Sequence, residues 1–478
     1  MKTEIRLSIS EKTPFAVGME FGTSGPYERI KGRVHFAVDP GEQAYSGITD
    51  LDKATRNKKG LVDYSTDFLI LKPLELEKGN RRIFFDWGNR GNIRALQFFN
   101  DAVGSNDPQT LEEAGNGFLF RRGYSVVFAG WQGDLLAGNG RFLMDLPVAT
   151  DQGKSITGLV RCEYILEEEG VTTQPLSGWA STRSHPTVSL DTRQATLTRR
   201  QYGDSPREVI PPDQWMFARD EGGSGLDGVS KQTAIVPSDS NLYLPGGFEP
   251  GWIYELVYTG KDPLVLGLGH TAVRDFISFL KYDASDDEGI PNPLGSGMIE
   301  KAYGWGRSQT GRAIRDFVYH GYNEDLKGRK VFDGLLPHVS GAGLLWMNHR
   351  FANAVSPAGQ EHEVHHNCAD HFPFSYTETT DHLTGKTDAI LKRPKSDPLI
   401  IHTQSATEYW QRKGSLVHTD TRGNDLDPPE GVRIYAWGSS EHFADPKMIR
   451  PSKGPCQNFS NVVRTSFFCR AFLDHLDL

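Results

Sequence analysis

Residues 302–324 read AYGWGRSQTGRAIRDFVYHGYNE. A short apolar run, Ala302 to Trp305, leads into Gly306-Arg307-Ser308-Gln309-Thr310-Gly311, and a helical stretch then sets Ala313, Ile314, Phe317 and Val318 on one side. Strand, sharp turn with a serine at its apex, then helix is the pattern of a nucleophile elbow. A serine in such a turn is strained, so small residues are required two positions to either side. Gly306 meets the upstream requirement, whereas Thr310 occupies the downstream position and the glycine comes one place later, at Gly311. The helix beginning at Gln309 aims its N-terminal N–H groups at the reacting oxygen. The competing reading is that Ser308 simply caps this helix.

Outward from the elbow, the partners are expected in the order serine, acid, histidine. Three apolar runs follow, at Val331–Leu336, Leu399–Ile401 and Val432–Trp437. The first has no acid at its end, the loop after the second holds Glu408, and SSEHF after the third holds His442. Glu408 is read as the acid, with Asp425 and Asp370 as alternatives. Upstream, the run Ile83–Trp87 ends in Gly88-Asn89-Arg90-Gly91. The N–H of Gln309 together with Asn89 and Arg90 of this loop is read as the oxyanion hole, its glycines allowing close backbone approach. Arg90 equally suits a brace for the loop. A second strand at Ser125–Ala129, with helix-compatible spacing over 93–121, completes a βαβ rhythm and a parallel sheet.

GWGRSQTGR, the NRG loop, GWQGD at 130–134, TEYW at 407–410 and the opening FGTSGPYERIKGRVHFAVDP together resemble the family described as alpha/beta hydrolase domain. The resemblance runs from about residue 13 to near the C-terminus. It implies the α/β-hydrolase fold, an α/β class with a mostly parallel central sheet and helices on both faces. It also implies a serine esterase mechanism carried by Ser308, Glu408 and His442. The arrangement is similar to that of glucuronoyl esterases, which carry a Ser-Glu-His triad. Those have an arginine directly after the serine, where this chain has Gln309, so their uronate substrate is not carried over.

The expected organisation is one catalytic domain over 1–478, with a β-rich insertion at 134–250 and a cap or lid at 341–397. Runs at 31–38 and 66–72 read as strands extending the sheet, TVSLDTRQATLTRR (187–200) reads as β-hairpins or as an insertion built on the main sheet, and TAVRDFISFLKYD (271–283) reads as a helix. Trp87, Trp131, Trp305, Trp346, Phe372 and Trp410 fall near predicted strand ends or in the cap. They suit a bulky substrate pocket, or else they seal the core.

Lys and Arg number 52 against 61 Asp and Glu, a net charge of -9, which gives no general affinity for nucleic acid or anionic membrane. Mean hydropathy is -0.48. No apolar run approaches the roughly 20 residues that span a bilayer, and the first fifteen residues hold no signal-like segment. A cytoplasmic hydrolase of a small-molecule ester, without a cofactor and of open oligomeric state, is the expectation. The four cysteines show no CxxC spacing. The segment QEHEVHHNCADHFPF gathers His362, His365, His366, Cys368, Asp370 and His371 and offers a second reading, a metal-dependent hydrolase with Glu363 or Asp370 activating water. Gly359 and Pro373 around it point instead to a loop, and its HExHH spacing departs from the helical HExxH pattern. A third reading is a non-catalytic binding protein on a hydrolase scaffold.

Overall fold

The computed structural model describes residues 3–179, 181–221, 234–353, 369–442, 450–453 and 457–478. Three long strands open the chain: β1 (Thr3–Pro14), β2 (Tyr27–Val38) and β3 (Val62–Pro73), each antiparallel to the next. β4 (Arg82–Trp87) follows, then three short helices, α1 (Ala95–Asn100), α2 (Leu111–Ala114) and α3 (Phe118–Arg121), and then β5 (Ser125–Ala129). The single helix expected over 93–121 is broken for a local reason. Asp101, Gly115 and Gly117 all have positive φ, and the Asn100 side chain takes the N–H of Leu119 and donates to the carbonyl of Ala114.

A separate four-stranded antiparallel sheet comes next, from β6 (Thr157–Ile165), β7 (Thr196–Arg200), β8 (Glu208–Ile210) and β9 (Ile253–Lys261), in the order β8-β7-β9-β6. It has its own core around Leu176, Leu197, Trp215, Tyr254 and Leu256. Of the stretch 187–200, the second half forms β7, which makes an antiparallel pair with the next strand, β8. Asp191 caps a 3-10 turn at Thr192–Gln194 ahead of it, and β7 also pairs with the distant β9.

The chain then returns to the main sheet through α4 (Leu268–Tyr282), β10 (Lys301–Arg307), α5 (Gln309–Tyr319), β11 (Gly334–His338), β12 (Leu399–Ser405), α6 (Ala406–Gln411), β13 (Val432–Trp437) and α7 (Ser466–Asp477). β11 begins later than its apolar run because the Asn323 side chain holds Phe332, accepting from its N–H and donating to its carbonyl, both at 2.9 Å. The sheet order is β1-β2-β3-β5-β4-β10-β11-β12-β13, parallel from β5 onward.

Successive side chains of a strand face opposite sides, so the sheet separates two cores. Phe68, Ile70, Phe85 and Trp87 pack on one face with α4 and α5, while Leu69, Leu71, Phe84 and Trp305 pack on the other with α1, α3 and α7. Register aligns the strand ends that matter: Arg307 is opposite His338, His338 opposite Thr403, and Ser405 opposite Trp437. The loops after β4, β10, β12 and β13 therefore share one edge, where ligands bind in open α/β sheets.

Gly304 lies mid-sheet, and a Cβ there would stand 2.4 Å from Cζ3 of Trp87 and 2.7 Å from Cδ2 of Leu335. Gly304→Val is expected to destabilise the protein by about 2–3 kcal/mol, read as a lower urea midpoint at unchanged slope. A midpoint equal to wild type would mean that β10 is not packed in this way.

Candidate active site

Ser308 sits between β10 and α5 with φ 61° and ψ −118°, a conformation that costs a non-glycine residue on the order of 1–3 kcal/mol. Its neighbours hold it there. The Ser308 N–H donates to the carbonyl of His338 at 2.8 Å, fastening the turn to β11. A Cβ on Gly306 would meet the carbonyl oxygen of Thr310 at 2.6 Å, so only glycine fits upstream. Thr310 has a task that a downstream glycine lacks: its hydroxyl accepts from the Arg307 N–H at 2.7 Å and donates to the Arg307 carbonyl at 3.0 Å. Gly311 then lets the helix approach β11, since a Cβ there would meet the His338 oxygen and the Ser340 Cβ, each at 2.9 Å. The displaced glycine is thus a packing requirement of α5 against β11.

Ser308 and His442 meet with Oγ 2.9 Å from Nε2. The other ring nitrogen, Nδ1, is hydrogen-bonded to Oε1 of Glu408. A carboxylate on Nδ1 fixes the tautomer with its proton there, leaving Nε2 to accept from the serine. Glu408 is fully buried and is positioned by its own helix. As the third residue after Ser405, it closes a capping box at the start of α6, its Oε2 accepting from the Ser405 N–H at 3.2 Å and from the Ser405 hydroxyl. The Ser-Ala-Thr-Glu spacing of residues 405–408 is a sequence signature of this cap, and it is a signal that the sequence reading did not use. The Arg307 guanidinium donates to the His442 carbonyl, and the His442 N–H donates to Thr407 Oγ1 at 3.2 Å.

Burial pushes the Glu408 carboxyl up, but the hydrogen bond and charge of His442 and the Ser405 donors outweigh it, leaving its pKa below the usual carboxylate value. Burial holds the His442 imidazole below the ordinary histidine value, and Arg307 and Arg412 push the same way against Glu408. At neutral pH the pair is therefore carboxylate and neutral imidazole. The alternative acids lie elsewhere: Asp425 is near His418 Nδ1 at 3.8 Å, and Asp370 pairs with Lys413.

The loop after β4 reaches the elbow. Asn89 Nδ2 donates to the Arg307 carbonyl at 3.0 Å, and Arg90, at φ 50°, lays its guanidinium 4.0 Å from the centre of the Trp179 ring. The N–H of Gln309 opens α5, where the helix itself supplies no acceptor. The Gln309 side chain donates to Gln132 Oε1 at 3.1 Å, and Gln132 in turn donates to Asp134 Oδ1 at 2.7 Å, so the GWQGD loop after β5 steadies the turn.

The expected aromatic pocket is not assembled as such, because central parallel strands are buried on both faces. Trp87 packs in the core against Phe85, Phe317 and Phe332, and Trp305 packs on the opposite face against Phe98 and Phe99. Trp131 is buried and donates its indole N–H to the Gly88 carbonyl at 2.8 Å, bracing the loop. Trp346 stacks on His349, Phe372 is half-buried against Phe374, and Trp410 is 80 % exposed. Sequence reasoning missed the basic side chains around the elbow: Arg312 and Arg412 are buried, and Arg90 and Arg412 both act on Arg312 as like charges.

Of the histidine-rich segment, His362, Glu363, His365, His366 and Cys368 lie outside the described residues. Among the described residues no group of three or more His, Cys, Asp or Glu is placed to hold a metal ion, and no helix is long and apolar enough to cross a membrane. Cys162 and Cys469 are buried free thiols.

A family model described as alpha/beta hydrolase domain matches residues 226–478, more than half of the chain. No curated protein and no solved structure matches.

The imidazole of His442, followed by 15N NMR, is expected to titrate below 6.5. In Glu408→Gln it should titrate lower still, because a carboxylate that favours the imidazolium is gone while burial remains. A midpoint above 6.5 in the wild type would contradict the dominance of burial.

Proposed function

The chain belongs to the alpha/beta hydrolase domain family, and on that premise we propose that it is a serine hydrolase of carboxylic esters acting through an acyl-enzyme. The observation that carries this reading is the relay from Ser308 Oγ, 2.9 Å from His442 Nε2, to Glu408 on the far side of the ring. Nucleophile, base and orienting acid within hydrogen-bond reach are the geometry of activated-serine chemistry.

Ser308 Oγ attacks the ester carbonyl as its proton passes to His442 Nε2. The charge that develops on the carbonyl oxygen is met by the N–H of Gln309 at the positive end of α5, with the 89–91 loop completing the hole. The imidazolium then gives its proton to the departing alkoxide, which leaves as the alcohol. Water, deprotonated by the same imidazole, attacks the acyl-serine, and collapse of that second intermediate frees the acid and restores Ser308. Glu408 stays ionised throughout, holding the tautomer and stabilising the transient imidazolium.

Ser308→Ala is expected to remove nearly all hydrolysis of p-nitrophenyl acetate; retention of a tenth of wild-type turnover excludes it as nucleophile. A fluorophosphonate probe should label wild type at Ser308. Activity lost to a chelator without labelling would favour the metal-dependent reading, and neither activity nor labelling would favour a binding protein. Glu408→Gln should lower kcat by about 10⁴-fold, the cost of losing the orienting carboxylate in a serine triad, whereas Asp425→Asn should leave it unchanged.

A further inference from the structure

Arg312 stands one helical turn after Ser308 on α5, its N–H donating to the Ser308 carbonyl at 3.1 Å. Residues four apart share a helix face, with Cβ atoms about 5–6 Å apart, and helical side chains lean toward the N-terminus. Arg312 is therefore carried by the first turn of α5, and its side chain lies within reach of the charges of Glu408, Asp370, Arg90 and Arg412. It is 2 % exposed, yet neither Nε nor Nη2 has a hydrogen-bond partner among the described residues. These two nitrogens form one edge of the guanidinium, the edge that matches both oxygens of a carboxylate.

The charges facing Arg312 are Arg412, Asp370, Arg90 and Glu408. Both acids are already engaged, Glu408 with His442 and Ser405, and Asp370 with Lys413. Burial and then Arg412 pull the Arg312 pKa down to about 9, the mark of a cation with too little compensation. A buried, uncompensated cation is unfavourable, and this one belongs to the residue one helical turn after Ser308.

We propose that the site selects esters bearing a free carboxylate, which pairs with the Arg312 guanidinium. Arg90 and Arg412 add positive potential. The inference rests on the serine-esterase reading and adds the substrate class to it. Arg312 is then a specificity-determining residue: it supplies the counter-charge that a neutral ester lacks.

The test compares mono-4-nitrophenyl glutarate with 4-nitrophenyl valerate, esters of equal acyl chain length that differ in the terminal carboxylate, with Ser308→Ala protein as the blank. Wild type should favour the glutarate at least tenfold in kcat/KM. Arg312→Gln should bring the ratio to one or below, and Arg312→Lys, which keeps the charge but not the fork, should fall between. Competitive inhibition of wild type by glutarate but not by valeramide reads the same site without a variant, should Arg312→Gln fail to fold. Preference for the valerate, with no inhibition by glutarate, overturns the carboxylate site and leaves the esterase reading standing. If neither ester is turned over and no fluorophosphonate label appears, the esterase reading fails. The anion site then survives only if glutarate raises the melting temperature of wild type and not that of Arg312→Gln.

Discussion

The backbone at Ser308 is bent into a conformation that a serine does not adopt by preference, and the surrounding structure is arranged to keep it there. One hydrogen bond ties the turn to β11, one threonine hydroxyl closes it on itself, and two glycines remove the atoms that would clash. In this conformation the Ser308 hydroxyl stands 2.9 Å from His442 Nε2. An extended residue at that position would lie in the ladder, with its side chain committed to one core or the other.

Everything else at the site follows from the sheet bringing other strand ends to the same edge. Parallel strands in register deliver their loops together, which is why residues separated by 134 positions in sequence meet at hydrogen-bond distance. Local rules then aim the side chains. The capping box turns the Glu408 carboxylate back over the start of α6, and its second oxygen is left for the imidazole. Helix capping and the orientation of the His442 ring are thus one arrangement, and Ser405 is as much a part of it as Glu408.

The site was legible in the sequence where chemistry and local structure coincide. β5 and β13 match their apolar runs from end to end, and the strand-turn-helix at 302–319 stands as its pattern indicates. The failures have a common cause: side chains that compete for backbone groups. Asn100 breaks a helix, Asn323 delays a strand and Asp191 caps a turn ahead of β7. None of these acts through hydrophobic periodicity, so apolar spacing did not register them. Aromatic residues near strand ends misled for a different reason. Two of the six, Trp87 and Trp305, serve opposite cores of a sheet buried on both faces, and their chain position says nothing about which side of the strand end is open. The buried arginines escaped notice because a charged residue in a helix reads as a solvated face until packing shows otherwise.

The positive charge near the turn also acts on His442. His442 is held neutral by burial and by Arg307 and Arg412, while Glu408 pulls toward the imidazolium. A neutral imidazole is what a general base must be before reaction, but cations nearby also weaken it as a base. On the reading that a substrate carboxylate settles against Arg312, the same negative charge lies near Arg412, which is among the like charges acting on Arg312. Binding then offsets part of the positive field that depresses His442 and strengthens the base once substrate is present. A neutral ester brings no such compensation, so discrimination extends beyond contacts with the guanidinium to the proton transfer itself. Selectivity of this kind is expressed in the transition state, where the imidazolium has formed and each unit of nearby negative charge counts most.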